Sequence, residues 1–143
     1  MLDKKKPMIF ARKEHSCVYL NGKVYVISGY DGKNKGMAGC EAYDIFNEDW
    51  RPIKGLNTPR CAFAAIVCNS KIYVFGGYDG KERLSTIEVY SPEQNKWTVL
   101  STKMFFPLSN AASVAEGKYI YILGGGWSEG FNQEVFQFNI ESH

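Results

Sequence analysis

The side chains best suited to metal binding or nucleophilic chemistry are four cysteines and two histidines. They are Cys17, Cys40, Cys61, Cys68, His15 and His143. No two cysteines have the C-x-x-C spacing of common zinc sites, and too few imidazoles remain to complete a tetrahedral ligand set. The sequence therefore predicts no metal and no cofactor. We expect free, buried thiols in a reducing compartment rather than two disulfides.

One hydrophobic segment occurs three times. Residues 23–29, 71–77 and 119–125 follow one another at intervals of 48 residues, and each alternates apolar side chains before a terminal glycine. Arg12 and Arg60 have the same spacing. Three units of this length account for essentially all 143 residues, so no separate domain or linker is expected.

The middle unit predicts four antiparallel strands. Residues 63–68 and 71–75 are apolar runs around a turn, residues 86–90 alternate with period two, and residues 96–100 follow a cluster of turn residues. One such sheet cannot bury both faces alone, so the sheets should stack radially as a β-propeller. The aromatic residues expected to fill the spaces between sheets are Tyr43, Trp50, Tyr90, Trp97 and Phe138.

These motifs resemble kelch repeats. The resemblance rests on the double glycine, on Glu-x-Tyr at residues 41–43 and 88–90, and on the tryptophan seven residues after each tyrosine. It is weaker in the third unit, where Leu108 stands in place of Arg60. It implies an all-β fold, a β-propeller of four-stranded antiparallel kelch blades, with three blades here, half of a six-bladed ring. It also implies protein binding: BTB-kelch relatives capture substrates for cullin ubiquitin ligases, and others bind actin. No BTB or BACK segment occurs in these residues.

We expect one kelch-repeat domain over residues 1–143. Residues 1–11 would supply the fourth strand of a blade and a crossover, residues 12–58 and 59–106 two repeats, and residues 107–143 a repeat without its fourth strand. Such ends leave strand edges and aromatic faces open, so we expect a homodimer that completes a six-bladed ring. Excision from a longer chain would explain the same ends.

The loops after the double glycines, with the segments that enter each repeat, are the predicted partner-binding site. The residues singled out are Tyr30, Lys33, Lys35, Tyr78, Lys81, Arg83, Trp127, Phe131, Arg12 and Arg60. Aromatic and arginine side chains are enriched at binding hot spots. Because the cations outnumber the nearby carboxylates, an acidic peptide is the expected ligand. Asp31 and Asp79 are expected to make turns.

Composition excludes other roles. The net charge of +2 argues against nucleic acid as a partner, and no apolar run is long enough for a membrane helix, so a cytoplasmic protein is expected. An enzyme, such as an oxidase or a sugar epimerase, needs converging acids, bases or metal ligands. His15 has Phe63 and Ala111 as its counterparts, so we expect no catalytic site. An architectural half-propeller is the alternative to a protein-binding module.

Overall fold

The computed structural model describes residues 1–33 and 36–142, and all regular elements there are β-strands. The first sheet has the order β1-β2-β3-β4, with every neighbouring pair antiparallel. Its strands are β1 (Ser16–Leu20), β2 (Lys23–Ile27), β3 (Cys40–Asp44) and β4 (Asp49–Ile53). In this described part, no helix is long and apolar enough to cross a membrane.

The second sheet repeats this arrangement in the order β5-β6-β7-β8. Its strands are β5 (Ala64–Cys68), β6 (Lys71–Phe75), β7 (Thr86–Ser91) and β8 (Lys96–Lys103). The four strands predicted in the middle unit are confirmed. β8 is longer than predicted, because a bulge between Thr86 and Glu88 lets Lys103 pair with Thr86.

The third sheet has three strands among the described residues, in the order β13-β10-β9. They are β9 (Ala112–Glu116), β10 (Tyr119–Leu123) and β13 (Val135–Asn139). Between β10 and β13 the chain forms a short hairpin of β11 (Gly126–Trp127) and β12 (Gly130–Phe131). The three antiparallel sheets are successive blades of an open β-propeller fragment.

Two apolar cores lie between the sheets. In the first, Tyr25 and Ile27 of the first sheet pack with Val74, Tyr90 and Trp97 of the second. In the second, residues of the second sheet pack with those of the third, and this set includes Tyr73, Phe75, Ile87, Ile120, Ile122 and Phe138. Alternation along each strand therefore sends one set of side chains to each neighbouring sheet.

The predicted inter-sheet aromatics differ in burial. Tyr90, Trp97 and Phe138 are buried, as expected, and the Tyr90 and Trp97 ring centroids lie 5.0 Å apart. Tyr43 and Trp50 form the same kind of pair, at 5.0 Å, but both are half-buried. They lie on the face of the first sheet that points away from the second, and no sheet of the described residues covers it.

The segment before the first sheet was expected to be a fourth strand, but residues 1–8 form none. Its position nevertheless follows the repeat. Trp50 Nε1 donates to Lys6 O at 2.8 Å, as Trp97 Nε1 donates to Lys54 O at 2.8 Å. Lys6 and Lys54 are 48 residues apart. A strand needs a neighbour for its ladder of hydrogen bonds, and no strand of the described residues pairs with this segment.

Candidate functional site

Each loop of the candidate site follows the second strand of its sheet, and its first two residues have positive φ. In the second blade these are Gly76 and Gly77, with φ of 61° and 101°. A Cβ on Gly76 would lie 2.4 Å from Leu108 O, so this turn requires glycine. In the first blade Ser28 takes the same conformation, with φ of 50°. Its hydroxyl contacts Met37 O and Arg60 O, which anchors the turn to the next blade.

Short bridges tie these loops to the segments that enter each blade. Tyr30 pairs with Lys13 and Tyr78 pairs with Cys61, and Gly126 occupies the equivalent position in the third blade, paired with Ser109. Because the pairing repeats, all three loops lie at the same end of the sheets. We call this the loop end.

Most residues of the predicted site lie on the surface of the loop end. Lys33, Lys81, Arg83 and Phe131 are exposed, and Tyr30, Tyr78 and Trp127 are half-buried. Phe131 is 98% exposed at the end of β12, in the β11–β12 hairpin that the sequence did not predict. Lys35 lies outside the described residues.

Arg83 joins two adjoining depressions of the loop end. One is lined by Glu14, Ala62 and Tyr78, and the other by Trp127 and Phe131, and Arg83 lines both. Arg83 Nε donates to Ser109 Oγ at 3.0 Å, and this bond holds the side chain across the boundary between the second and third blades. The arrangement places a guanidinium between two aromatic surfaces, which suits recognition of a protein.

The turn roles of the two aspartates are confirmed. Asp79 Oδ1 accepts hydrogen bonds from the backbone N–H groups of Lys81 and Glu82, each at 2.8 Å. These bonds lower the pKa of Asp79. Asp31 Oδ1 accepts one from Lys33 N at 2.8 Å. Both carboxylates shape their loops by bonding to the backbone two or three residues ahead.

Arg12 and Arg60 enter their blades at the loop end, as predicted, but their side chains do not reach the surface there. Both side chains are fully buried. Arg60 Nη2 donates to Glu88 Oε1 at 2.8 Å, and Arg60 Nη1 donates to Gly76 O at 2.8 Å. Burial lowers the pKa of Arg60, and Glu88 opposes that shift. The expectation that these two arginines contact a partner is therefore corrected: their guanidinium groups bond to acceptors within the chain.

The third blade replaces this polar cluster with apolar side chains. In the second blade, Glu88 also accepts hydrogen bonds from the backbone N–H groups of Asn57 and Thr58. The residues 48 positions after Asn57, Thr58, Arg60 and Glu88 are Phe105, Phe106, Leu108 and Phe136. The Phe106 and Phe136 rings pack edge to face with centroids 5.3 Å apart. The sequence carries a signal for this change, because all four positions become apolar together in the third unit. The prediction from sequence included only the change at Leu108.

The loop end has fewer exposed positive charges than the sequence predicted, because two of the arginines are buried. Arg12 and Arg60 face Glu41 and Glu88 inside the blades. The described cations Lys33, Lys81 and Arg83 then lie among the acidic residues Asp31, Asp79, Glu82 and Glu129. An acidic ligand was expected because, in the sequence, cations outnumber carboxylates at this end. Among the described residues, the exposed side chains have no such excess of positive charge.

The thiols and the imidazole of the described chain form no reactive cluster. No group of three or more His, Cys, Asp or Glu side chains that could hold a metal occurs in residues 1–33 and 36–142. The four cysteines are free thiols, but the expectation that all are buried is wrong for Cys17, which is exposed on β1. Burial raises the pKa of Cys40 to about 11. Burial and the nearby Arg12 charge lower the pKa of His15.

Comparison with known proteins identifies the repeat. The family model described as the KLHDC2/KLHL20/DRC7 Kelch-repeats domain matches residues 2–143. The chain belongs to the kelch-repeat family. As in other proteins of this family, each sheet is a kelch blade, so the predicted fold is confirmed.

Several kelch proteins are similar to this chain. Alpha-scruin of Limulus polyphemus is 31% identical over 121 residues, which cover 80% of this chain and 13% of that protein. Kelch-like protein 41a of Danio rerio is 37% identical over 87 residues, 61% of this chain and 14% of that protein. Kelch-like protein 36 of Rattus norvegicus is 29% identical over 126 residues, 85% and 20% respectively. The kelch chain thus spans a fifth or less of these relatives' length.

Proposed function

We propose that this kelch-repeat chain is a protein-interaction module that binds its partner at the loop end. The observation that carries the proposal is the position of Arg83, between the depression lined by Tyr78 and the one lined by Trp127 and Phe131. A rigid β-scaffold holds these loops, so a partner would meet a preformed surface. Membership of the kelch-repeat family supports the interaction role.

The proposed contact residues are the exposed or half-buried side chains of that end. They are Tyr30, Lys33, Tyr78, Lys81, Arg83, Trp127 and Phe131. Trp127 and Phe131 offer apolar area, while Arg83 can make forked hydrogen bonds to a carboxylate or to backbone carbonyls. We therefore propose a partner with an apolar side chain next to a carboxylate, rather than a broadly acidic peptide.

We also propose that the partner is a substrate of the kind captured by BTB-kelch ubiquitin-ligase adaptors. Similarity to Kelch-like proteins 41a and 36 supports this context. The adaptor role belongs to whole proteins, of which this chain matches only a part. Four free thiols suit the reducing interior of a cell, where such adaptors would act.

A comparison of captured proteins tests the binding surface. Arg83→Glu and Trp127→Ala should each remove partners that the unmodified chain captures from cell extract, as quantified by mass spectrometry. Lys96→Glu is the matched control, because Lys96 is an exposed cation that begins β8 at the opposite end of the second blade. It should leave the captured set unchanged. Equal capture by Arg83→Glu and Lys96→Glu would refute binding at the loop end.

A further inference from the structure

The third loop of the loop end lacks a side chain that the other two loops have. Tyr30 and Tyr78 hold equivalent places, where each pairs with the segment that enters its blade. Gly126 lies 48 residues after Tyr78 and pairs with Ser109 in the same way. Both tyrosines are half-buried, so their rings fill space at the loop end. The third loop therefore leaves at Gly126 the space that a ring fills in the other two.

Neither the backbone nor the packing requires a glycine at position 126. Gly125, one residue earlier, has a φ of 97°, and a Cβ on it would lie 2.7 Å from Ser109 O. Gly126 belongs to β11, and its φ lies outside the positive range. Apart from its chain neighbours, the nearest atom to a Cβ on Gly126 would be Ser109 Oγ at 3.8 Å, an ordinary contact distance. The position therefore has room for a side chain.

The space beside Gly126 is the depression that Arg83 and Trp127 line, and its volume is about 560 Å³. A closed cavity of roughly 150 Å³ is enough to hold a benzene molecule. The walls are fixed in place: the Trp127 ring packs on Phe106 with centroids 4.9 Å apart, and Arg83 is bonded to Ser109. An aromatic ring from another molecule can thus enter the depression without a rearrangement of the chain.

A cation lies beside this space, as one does at the equivalent ring of the first loop. There, Lys13 Nζ lies 5.2 Å from the centroid of the Tyr30 ring. In the third loop, Arg83 Nη2 would lie 3.9 Å from a Cβ on Gly126. No described residue accepts a hydrogen bond from either Nη atom of Arg83, whose Nε donates to Ser109. The face of an aromatic ring attracts a cation, so this loop has the cation of such a pair without its ring.

We propose that the partner of the loop end inserts an aromatic side chain at Gly126, in the place of the tyrosine that the third loop lacks. This inference rests on the proposed function and narrows the apolar side chain of the partner to a ring. The ring lies against the Arg83 guanidinium and beside Trp127, while the carboxylate of the partner bonds to the outer N–H groups of Arg83. Tyr30 and Tyr78 already fill the other two loops, so Gly126 is where a ring can enter.

Gly126→Tyr restores the residue of the other two loops and places a ring of the chain itself in the depression. Because Gly126 is extended and open, this variant should unfold at a urea midpoint equal to or above that of the unmodified chain. Gly125→Ala is the contrast, since a positive φ and the nearby Ser109 carbonyl oppose a side chain there, and its midpoint should fall. An equal fall for the two variants would mean that a ring has no room, and would overturn the proposal.

N-acetyl-tyrosinamide is a probe that carries the ring without a charge. Added to the isotope-labelled chain, it should shift the NMR signals of the Gly125 and Gly126 amides and of Arg83 Nε–H, with a dissociation constant of about a millimolar, as expected for a molecule of this size. N-acetyl-leucinamide should bind about fivefold more weakly, because it has no ring face for the guanidinium. Equal binding of the two probes, or no shift at Gly126 at concentrations well above millimolar, would contradict the insertion of a ring.

Two variants show whether the probe binds at Gly126. Gly126→Tyr should weaken the binding of N-acetyl-tyrosinamide by about tenfold or more, because its own ring takes the site. Thr98→Tyr is the control, since Thr98 is exposed on β8, away from the loop end, and the added ring there should not change binding. Equal binding of the probe to Gly126→Tyr and Thr98→Tyr would place the probe on another surface and overturn the proposal.

The capture experiment separates the insertion at Gly126 from the proposed function. Gly126→Tyr should lose the proteins that Arg83→Glu loses. If Arg83→Glu loses them and Gly126→Tyr retains them, the partner binds at the loop end without a ring at Gly126, so the insertion is wrong while the proposed function stands. If both variants retain them, binding at the loop end is itself refuted.

Discussion

Arg60 and Glu88 are a buried ion pair whose other polar atoms are also satisfied. Arg60 donates to Gly76 O and Thr58 O, and Glu88 accepts from Thr58 N, so the pair joins the loop turn, the blade entrance and β7. A buried ion pair adds little net stability over apolar packing, but removal of one partner strands the other charge. The third blade, with Leu108 and Phe136 at these positions, shows the apolar solution within the same molecule.

We therefore expect Arg60→Leu to lower the free energy of unfolding by about 3–5 kcal/mol, because Glu88 would remain buried and unpaired. The double variant Arg60→Leu with Glu88→Leu should be more stable than Arg60→Leu alone. Urea unfolding of the single and double variants gives the coupling energy. Additive losses would show that the two side chains do not act as a pair.

The thiol of Cys40 should be unreactive in the folded chain. Cys40 is buried, and its pKa is raised to about 11, so very little thiolate exists at pH 8. Labelling with a thiol reagent at pH 8, followed by mass spectrometry of peptides, should modify Cys40 only after a denaturant is added. Rapid modification of Cys40 in the native chain would contradict the packing of β3 against the second sheet.

At the scale of elements, the sequence predicted the strands and turns that depend only on neighbouring residues. Strands β5 to β7 follow the apolar alternation and the turn at Asn69 and Ser70 closely. The β11–β12 hairpin was missed because its strands are two residues each, too short for any periodicity. The burial of Arg60 was missed for another reason: its partner Glu88 lies 28 residues away, and only the fold brings them together.

Stability measurements on variants of two aromatic residues distinguish a role in packing from a role in partner binding. Trp97 is buried between the first and second blades, and Trp97→Ala should cost about 3–5 kcal/mol of unfolding free energy. Tyr78 is half-buried at the loop end, so Tyr78→Ala should cost under about 1.5 kcal/mol. Denaturant midpoints provide the comparison. Equal losses would mean that Tyr78 belongs to the core rather than to the binding surface.

At the scale of the whole molecule, the loop end and the faces of the sheets are separate surfaces. Loop-end residues such as Arg83 lie where strands end, whereas exposed apolar side chains such as Val114 lie on a sheet face. The sequence predicted from the repeat that the three loops lie at one end, because equivalent positions in a repeat meet equivalent neighbours. It did not predict the charge of the loop end, since that depends on which arginines are buried.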